Sequence, residues 1–235
     1  MFLDDFYTTS NNKITFTRQQ GSNFAKKIAD DFNPLHDVDA KRFCIPGDLL
    51  FSLILAKSGL FKQMNFTFSG MVSDEVLLNF PNQLEGKSSI SDDNGKEYMH
   101  VQADGASVQN TDTIEALIRA YVEFSGHTFP HILVKLMADN NVMINPTRPM
   151  VMYESMSIEL NTLDFSSVKL VESNSTLTID GKRGSACLMF DLLSNNTVIG
   201  HGKKHMLLSG LRDYEQETIN AIVEKYNNSK LSYTA

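Results

Sequence analysis

The run Leu49-Leu50-Phe51-Ser52-Leu53-Ile54-Leu55-Ala56 constrains the fold more than any other part of the chain. Its apolar side chains go all the way round a helix instead of forming one stripe, so the helix must be buried on every side. Pro46-Gly47-Asp48 opens it, and Ser58-Gly59 supplies a C-terminal stop. The run is interrupted by Ser52 and is far too short to span a bilayer. Such a helix needs a sheet or other helices wrapped around it.

The segments on either side supply that sheet. In the first half Lys13 to Thr17 alternates as a strand, and Ser22 reads as the cap of a short helix with Phe24, Ile28 and Phe32 on one face. An irregular stretch runs from Asn33 to Ile45. After the buried helix come strand-like runs at Met64 to Met71 and Glu75 to Phe80, then an Asp93-Asn94-Gly95 turn and a further run from Lys96 to Ala103. The second half opens with Thr111 as a cap and Ile114, Leu117, Ile118, Tyr121 and Val122 on one helical face. Ser125-Gly126 reads as a break, followed by a second helix through Phe129, Ile132, Leu133, Leu136 and Met137. Four strand-like runs follow Pro149: Val151 to Leu160, Val168 to Ile179, Ser185 to Leu193 and Val198 to Leu208. Asp180-Gly181 and Asn195-Asn196 are hairpin signals between them. A terminal amphipathic helix carries Ile219, Ile222, Val223 and Tyr226. Each half is thus a short helix, a longer buried helix and several antiparallel strands, which predicts an α+β fold of two similar units, 1–108 and 109–235. Pairing the two sheets side by side would remove one exposed edge strand from each.

Composition narrows the function classes. The 235 residues are 42% hydrophobic and 21% charged, as in an ordinary globular protein. A formal net charge of −7 leaves no basic stripe for nucleic acid. The start, Met1-Phe2-Leu3-Asp4-Asp5, is acidic and lacks the pattern of a signal peptide, and no run is long enough for a membrane span. Cys44 and Cys187 form no metal-ligand spacing and read as reduced thiols of a cytoplasmic protein.

The chemistry concentrates in Asp31-Phe32-Asn33-Pro34-Leu35-His36. Asn-Pro cannot continue a helix, so the chain turns just after Asp31, and the turn can bring Asp31 and His36 to one side. A carboxylate and an imidazole facing one water can act as general acid and base. Asn33 orients the loop. The segment resembles the D-x-N-P-x-H signature of MaoC-like hydratases and dehydratases, with a short helix before it and a long buried helix after it. The resemblance covers about the first third of the chain.

It implies a double hot-dog fold, two curved antiparallel sheets each wrapping a long helix. It also implies (R)-specific enoyl-thioester hydratase activity, a hydro-lyase reaction, with Asp31 and His36 as the catalytic pair. The thioester oxygen would be held by backbone N–H groups at Gly47, on the N-terminus of the buried helix. Where the family has His-Gly this chain has Pro46-Gly47, and Asp48 places a carboxylate beside that N-terminus. The implied partner is an acyl-CoA or acyl-carrier-protein thioester, with Lys41 and Arg42 in position for coenzyme phosphates. No cofactor, metal, nucleic acid or membrane is implied, and a homodimer is possible. The second half has only Ser125-Gly126-His127 between its helices, which makes 109–235 a degenerate unit and puts the site in 1–108.

Two further readings stay open. A thioesterase would use Asp48 as the base that positions water. A non-catalytic hot-dog would bind an acyl thioester or another protein, with its pocket filled by Phe43 or Phe51. Outside the motif, His127 and His131 read as helix-terminal histidines, Glu154 as a strand bulge, and Gly200-His201-Gly202 as a sheet bend.

Overall fold

The computed structural model describes residues 1–84 and 86–234. A short 3-10 turn, Phe2–Phe6, precedes the hairpin β1 (Thr8–Ser10) and β2 (Lys13–Thr15). Helix α1 (Arg18–Lys27) leads through a 3-10 turn, Pro34–His36, into α2 (Gly47–Ser58). Strands β3 (Leu60–Phe68), β4 (Leu78–Asn79), β5 (Lys87–Asp92) and β6 (Glu97–Val108) complete the first half. The second half has α3 (Thr111–Gly126), α4 (Thr128–His131), α5 (Leu133–Asp139) and β7 (Val142–Met143). It continues with β8 (Met150–Leu160), β9 (Lys169–Asp180), β10 (Arg183–Ser194), β11 (Thr197–Ser209), β12 (Arg212–Asp213) and α6 (Gln216–Thr234).

The main sheet is antiparallel with strand order β1-β2-β4-β5-β6-β3-β8-β11-β10-β9. Its two halves meet where β3 pairs with β8, from Gln63 opposite Glu159 to Thr67 opposite Ser155. This pairing removes the edge that each half would otherwise expose. Helix α2 is enclosed, with Leu49, Phe51, Ile54 and Leu55 all at 0% exposure. Phe51 packs edge-on to Phe66 of β3 and against Tyr121 of α3, at ring separations of 5.0 and 4.7 Å. In the second half α3 lies against β9 and β10, with Tyr121 and Phe124 on Phe190, and α5 covers a second core with Leu177, Leu188, Met206 and Leu208. Two helix-wrapping antiparallel units joined edge to edge make a double hot-dog.

Local sequence chemistry explains the element ends. Gly59, at φ 91°, terminates α2 in a conformation open to glycine. Asn195 and Asn196, at φ 49° and 61°, form the tight turn between β10 and β11. Helix α1 starts at Thr17 and not at Ser22. Thr17 accepts from the Gln20 amide while the Gln20 side chain accepts from Thr17 N–H, a reciprocal capping box that Ser22 cannot form. Asn110, one residue before Thr111, caps α3.

Helix α3 ends at Gly126, where Ser125-Gly126 predicts the break. The expected helix from Phe129 to Met137 is instead α4 and α5, separated at Ile132, and within α4 Phe129 before Pro130 takes an extended conformation at φ −112°, ψ 131°. The long buried helix of the second half is therefore α3. Strand β5 is polar apart from Ile90, which hid it from alternation counting.

Gly126 brings the end of α3 against the backbone of the Asp31 loop. A Cβ built there would lie 1.8 Å from the carbonyl oxygen of Ala29. Gly126→Ala is expected to lower the stability by about 2–3 kcal/mol, the cost of forcing overpacked backbones apart. Urea denaturation midpoints measure it, and an unchanged midpoint would show that α3 and the loop are not in close contact.

Candidate functional site

The Asp31 loop is built from its own side chains. Asp31 Oδ1 accepts from Asn33 N–H at 2.9 Å, and Asn33 Oδ1 accepts from Leu35 N–H at 3.1 Å. These two Asx turns launch the Pro34–His36 turn, closed by His36 N–H on the Asn33 carbonyl at 2.9 Å. The result places Asp31 Oδ2 3.7 Å from His36 Nε2, with the side chains 25% and 12% exposed. His36 Nδ1 donates to the Cys44 carbonyl at 2.7 Å, which fixes the ring and turns Nε2 toward Asp31. The pair thus shares one edge, at a spacing beyond a direct hydrogen bond.

A second polar centre lies deeper, on the seam between the units. Asp48, in the first turn of α2, is 8% exposed, Ser125 of α3 is 5% and Lys204 of β11 is 4%. Ser125 Oγ donates to Asp48 Oδ2 at 2.5 Å and accepts from Lys204 Nζ at 2.5 Å. Asp48 Oδ1 is buried and accepts no hydrogen bond from protein. Lys204 Nζ also lies 4.4 Å from the centre of the Tyr153 ring, and the Tyr153 and Tyr121 hydroxyls bond to each other. Phe68 stacks on Tyr153 at 4.2 Å.

Burial pushes the Asp48 carboxyl above its usual range, while Lys204 and Ser125 pull it partly back; Asp31 adds to the push and His36 opposes it. Burial pushes the Lys204 ammonium down, against the pull of Asp48 and then Asp31. Burial, then the Asp48 charge, holds the Tyr121 hydroxyl far above its ordinary range. The Asp31–His36 pair therefore sits within electrostatic reach of Asp48, and both belong to one region.

The other expected residues fall around this centre. Gly47 is partly covered by Phe68, whose ring would lie 2.8 Å from a Cβ at that position. Lys41 and Arg42 are exposed on the loop between His36 and α2. His127 bonds Asp30 at 2.8 Å, and Asp30 also pairs with Lys230 of α6. Tyr226 of α6 accepts from Phe32 N–H at 3.1 Å, so the terminal helix lies over the motif loop. Glu154 is the extra residue of a bulge, between the pairs His205–Ser155 and Met206–Tyr153. Gly202 makes room for the Phe190 ring, 2.3 Å from where a Cβ would stand, and the β10–β11 register shifts beside Gly200, between Leu192 and Leu193. Among the described residues no group of three or more His, Cys, Asp or Glu side chains is placed to hold a metal ion. None of the described helices is long and apolar enough to cross a membrane.

Ser125, Lys204, Tyr121 and Tyr153 carry the seam and were not singled out by sequence reasoning. Lys204 left a signal: in Lys203-Lys204-His205-Met206-Leu207-Leu208 it shares the inward phase with Met206 and Leu208. Ser125 left none beyond its pairing with Gly126.

The chain belongs to the family described as "Protein of unknown function (DUF3581)", whose profile matches residues 1–217. Comparison with curated proteins gives no match. Among solved structures, similarity is found to a candidate thioesterase II from Thermobifida fusca, at 10% identity over 86% of this chain and 94% of that one, with a TM-score of 0.43. The acyl-CoA thioesterase II TesB2 from Mycobacterium marinum aligns at 8% identity over 92% of this chain and 99% of its own, with a TM-score of 0.42. The tesB protein of Mycobacterium avium subs paratuberculosis aligns at 11% identity over 70% and 87%, with a TM-score of 0.42.

The expectation of a hydratase, a hydro-lyase, does not hold. Two of the solved structures named above are described as thioesterases, and none of the three as a hydratase. The buried charge of the molecule is also centred on Asp48, with Asp31 and His36 at its edge.

The buried pair makes a pH-dependent prediction. Lys204→Met leaves Asp48 buried without its cation and is expected to cost about 3–5 kcal/mol near neutral pH. The Asp48 pKa is raised in the folded state, so its ionisation destabilises the fold as pH rises from the unfolded carboxylate value through the folded one. The variant's deficit should therefore shrink as pH falls toward the carboxylate range. Adding Asp48→Asn should recover much of the loss. Urea titrations across pH measure both effects, and a deficit that grows toward acid would show that Lys204 does not compensate Asp48.

Proposed function

We propose that the protein is an acyl-thioester hydrolase whose centre is Asp48. The observation that carries this reading is the buried Asp48 carboxylate with one oxygen held by Ser125, in contact with Lys204, and the other oxygen unpartnered. An unused carboxylate oxygen can take a proton from water as the water attacks an acyl carbon. Burial raises the carboxyl's affinity for that proton, which makes it a stronger base than an exposed aspartate. The Lys204 ammonium supplies positive charge where the carbonyl oxygen becomes negative.

Asp31 and His36, part-exposed and acting electrostatically on Asp48, form the rim past which the substrate reaches it. Asn33 holds that rim, and the Gly47 backbone lies at the helix N-terminus beside it. Lys41 and Arg42 are placed to meet the phosphates of a coenzyme or carrier-protein thioester. In this reading the units 1–108 and 109–235 share the centre, one giving Asp48 and the other Ser125 and Lys204. Two free cysteines, with burial pushing the Cys44 thiol up to about 11, suit a cytoplasmic setting.

A second reading, thioester binding without turnover, is favoured by one feature. Phe68, Tyr153 and Tyr121 close over the centre, and Phe43 and Phe51 are buried in the core.

Release of free thiol from short- and medium-chain acyl-CoA separates the two readings. Turnover by wild type, with kcat reduced about 100- to 10,000-fold in Asp48→Asn, is the expected result. Tight binding with no thiol release selects the binding module. For the hydrolase, Asp48 must be ionised and Lys204 protonated, so kcat/KM should follow a bell. Its acid limb lies above the ordinary carboxylate range and its alkaline limb below the ordinary lysine range. An acid limb at an unshifted carboxylate position would remove Asp48 as the base.

A further inference from the structure

We propose that Ser125 is the nucleophile of this centre and carries the acyl group as a covalent ester, an inference that rests on the thioester-hydrolase reading. The geometry around its Oγ is that of an activated hydroxyl. Oγ gives its proton to Asp48 Oδ2 at 2.5 Å and receives an N–H from Lys204 at 2.5 Å. A base on the proton, and a neighbouring cation that favours the alkoxide, are two means of turning a weak hydroxyl nucleophile into a reactive one.

The placement also fits. Ser125 lies in the last turn of α3, and the adjoining Gly126 brings that turn against the Ala29 to Asp31 backbone. The end of α3 is therefore held next to the loop that bears the part-exposed Asp31 and His36. The hydrogen bond of Ser125 to Asp48 also explains why the carboxylate has one occupied and one open oxygen. Oδ2 serves the serine, and Oδ1 remains for the water of the second step.

The steps balance. In acylation the Ser125 Oγ–carbon bond forms and the carbon–sulfur bond breaks. The Oγ proton passes to Asp48, and from Asp48 to the departing thiolate, which leaves as free thiol. In deacylation a water oxygen bonds to the same carbon and the Oγ–carbon bond breaks. The water's proton passes to Asp48 and then to Oγ, and the second product is the carboxylic acid. Lys204 stays protonated throughout and faces the oxygen that carries negative charge in each tetrahedral intermediate.

The test uses the wild-type protein and two thioesters with one acyl group, butyryl-CoA and butyryl-N-acetylcysteamine, in the presence of hydroxylamine. A common acyl-enzyme forgets its leaving group, so the ratio of hydroxamate to butyric acid should be the same from both substrates. Acid-quenched protein should carry one butyryl group on the peptide containing Ser125. Ser125→Ala should lose thiol release by on the order of a thousandfold or more with its circular dichroism unchanged.

A ratio that depends on the leaving group, with thiol still released, would overturn the covalent step and leave the hydrolase reading standing. Absence of thiol release from both substrates would overturn the two together. Because the partition ratio is read on wild type, the conclusion does not hang on how well the alanine variant folds.

Discussion

Asp48 is a carboxylate in the first turn of a buried, mostly apolar helix, and the molecule is arranged around holding it. A lone charge in such a place is costly, and it persists only when paired and hydrogen-bonded. The pairing comes from the opposite unit: Ser125 from α3 and Lys204 from β11. The bond therefore ties α2, α3 and the sheet across the seam. It gives the two hot-dog units one fixed relation at the point where β3 and β8 also pair.

The surrounding aromatic groups follow from that choice. The Tyr121 and Tyr153 hydroxyls satisfy each other, and the Tyr153 ring faces Lys204. Phe51 and Phe190 pack on Tyr121, and Phe68 on Tyr153. Burial strengthens the charge interactions at the centre and shifts Asp48 and Lys204 toward each other in proton affinity. Those are the conditions under which an aspartate can act as a base and a lysine can remain a nearby cation.

The Asp31–His36 loop has a different character. Its geometry is local: two Asx turns, one proline and one carbonyl fix both side chains within a few residues. Alpha helix α6 then packs over it through Tyr226 and Lys230, and His127 joins at Asp30. The loop is a part-exposed rim, electrostatically coupled to a buried centre, and its chemistry is set by that neighbour.

The sequence by itself determined the elements whose signals are local. The all-round apolar run specified a buried α2, the Asn195-Asn196 and Asp180-Gly181 turns specified the hairpins of the second half, and Asn33-Pro34 specified the turn that faces Asp31 toward His36. It also placed Asp48 at a helix N-terminus, where its charge was visible but its partners were not. The tertiary structure alone decided those partners, because Ser125 and Lys204 lie 77 and 156 positions further along the chain than Asp48 and meet it only when the two units close. Spacing rules read neighbours three or four residues apart on a helix or two apart on a strand. A contact across a seam has no period, so Ser125 looks like an ordinary helix-end serine, and the inward phase of Lys204 marks its burial without naming its partner.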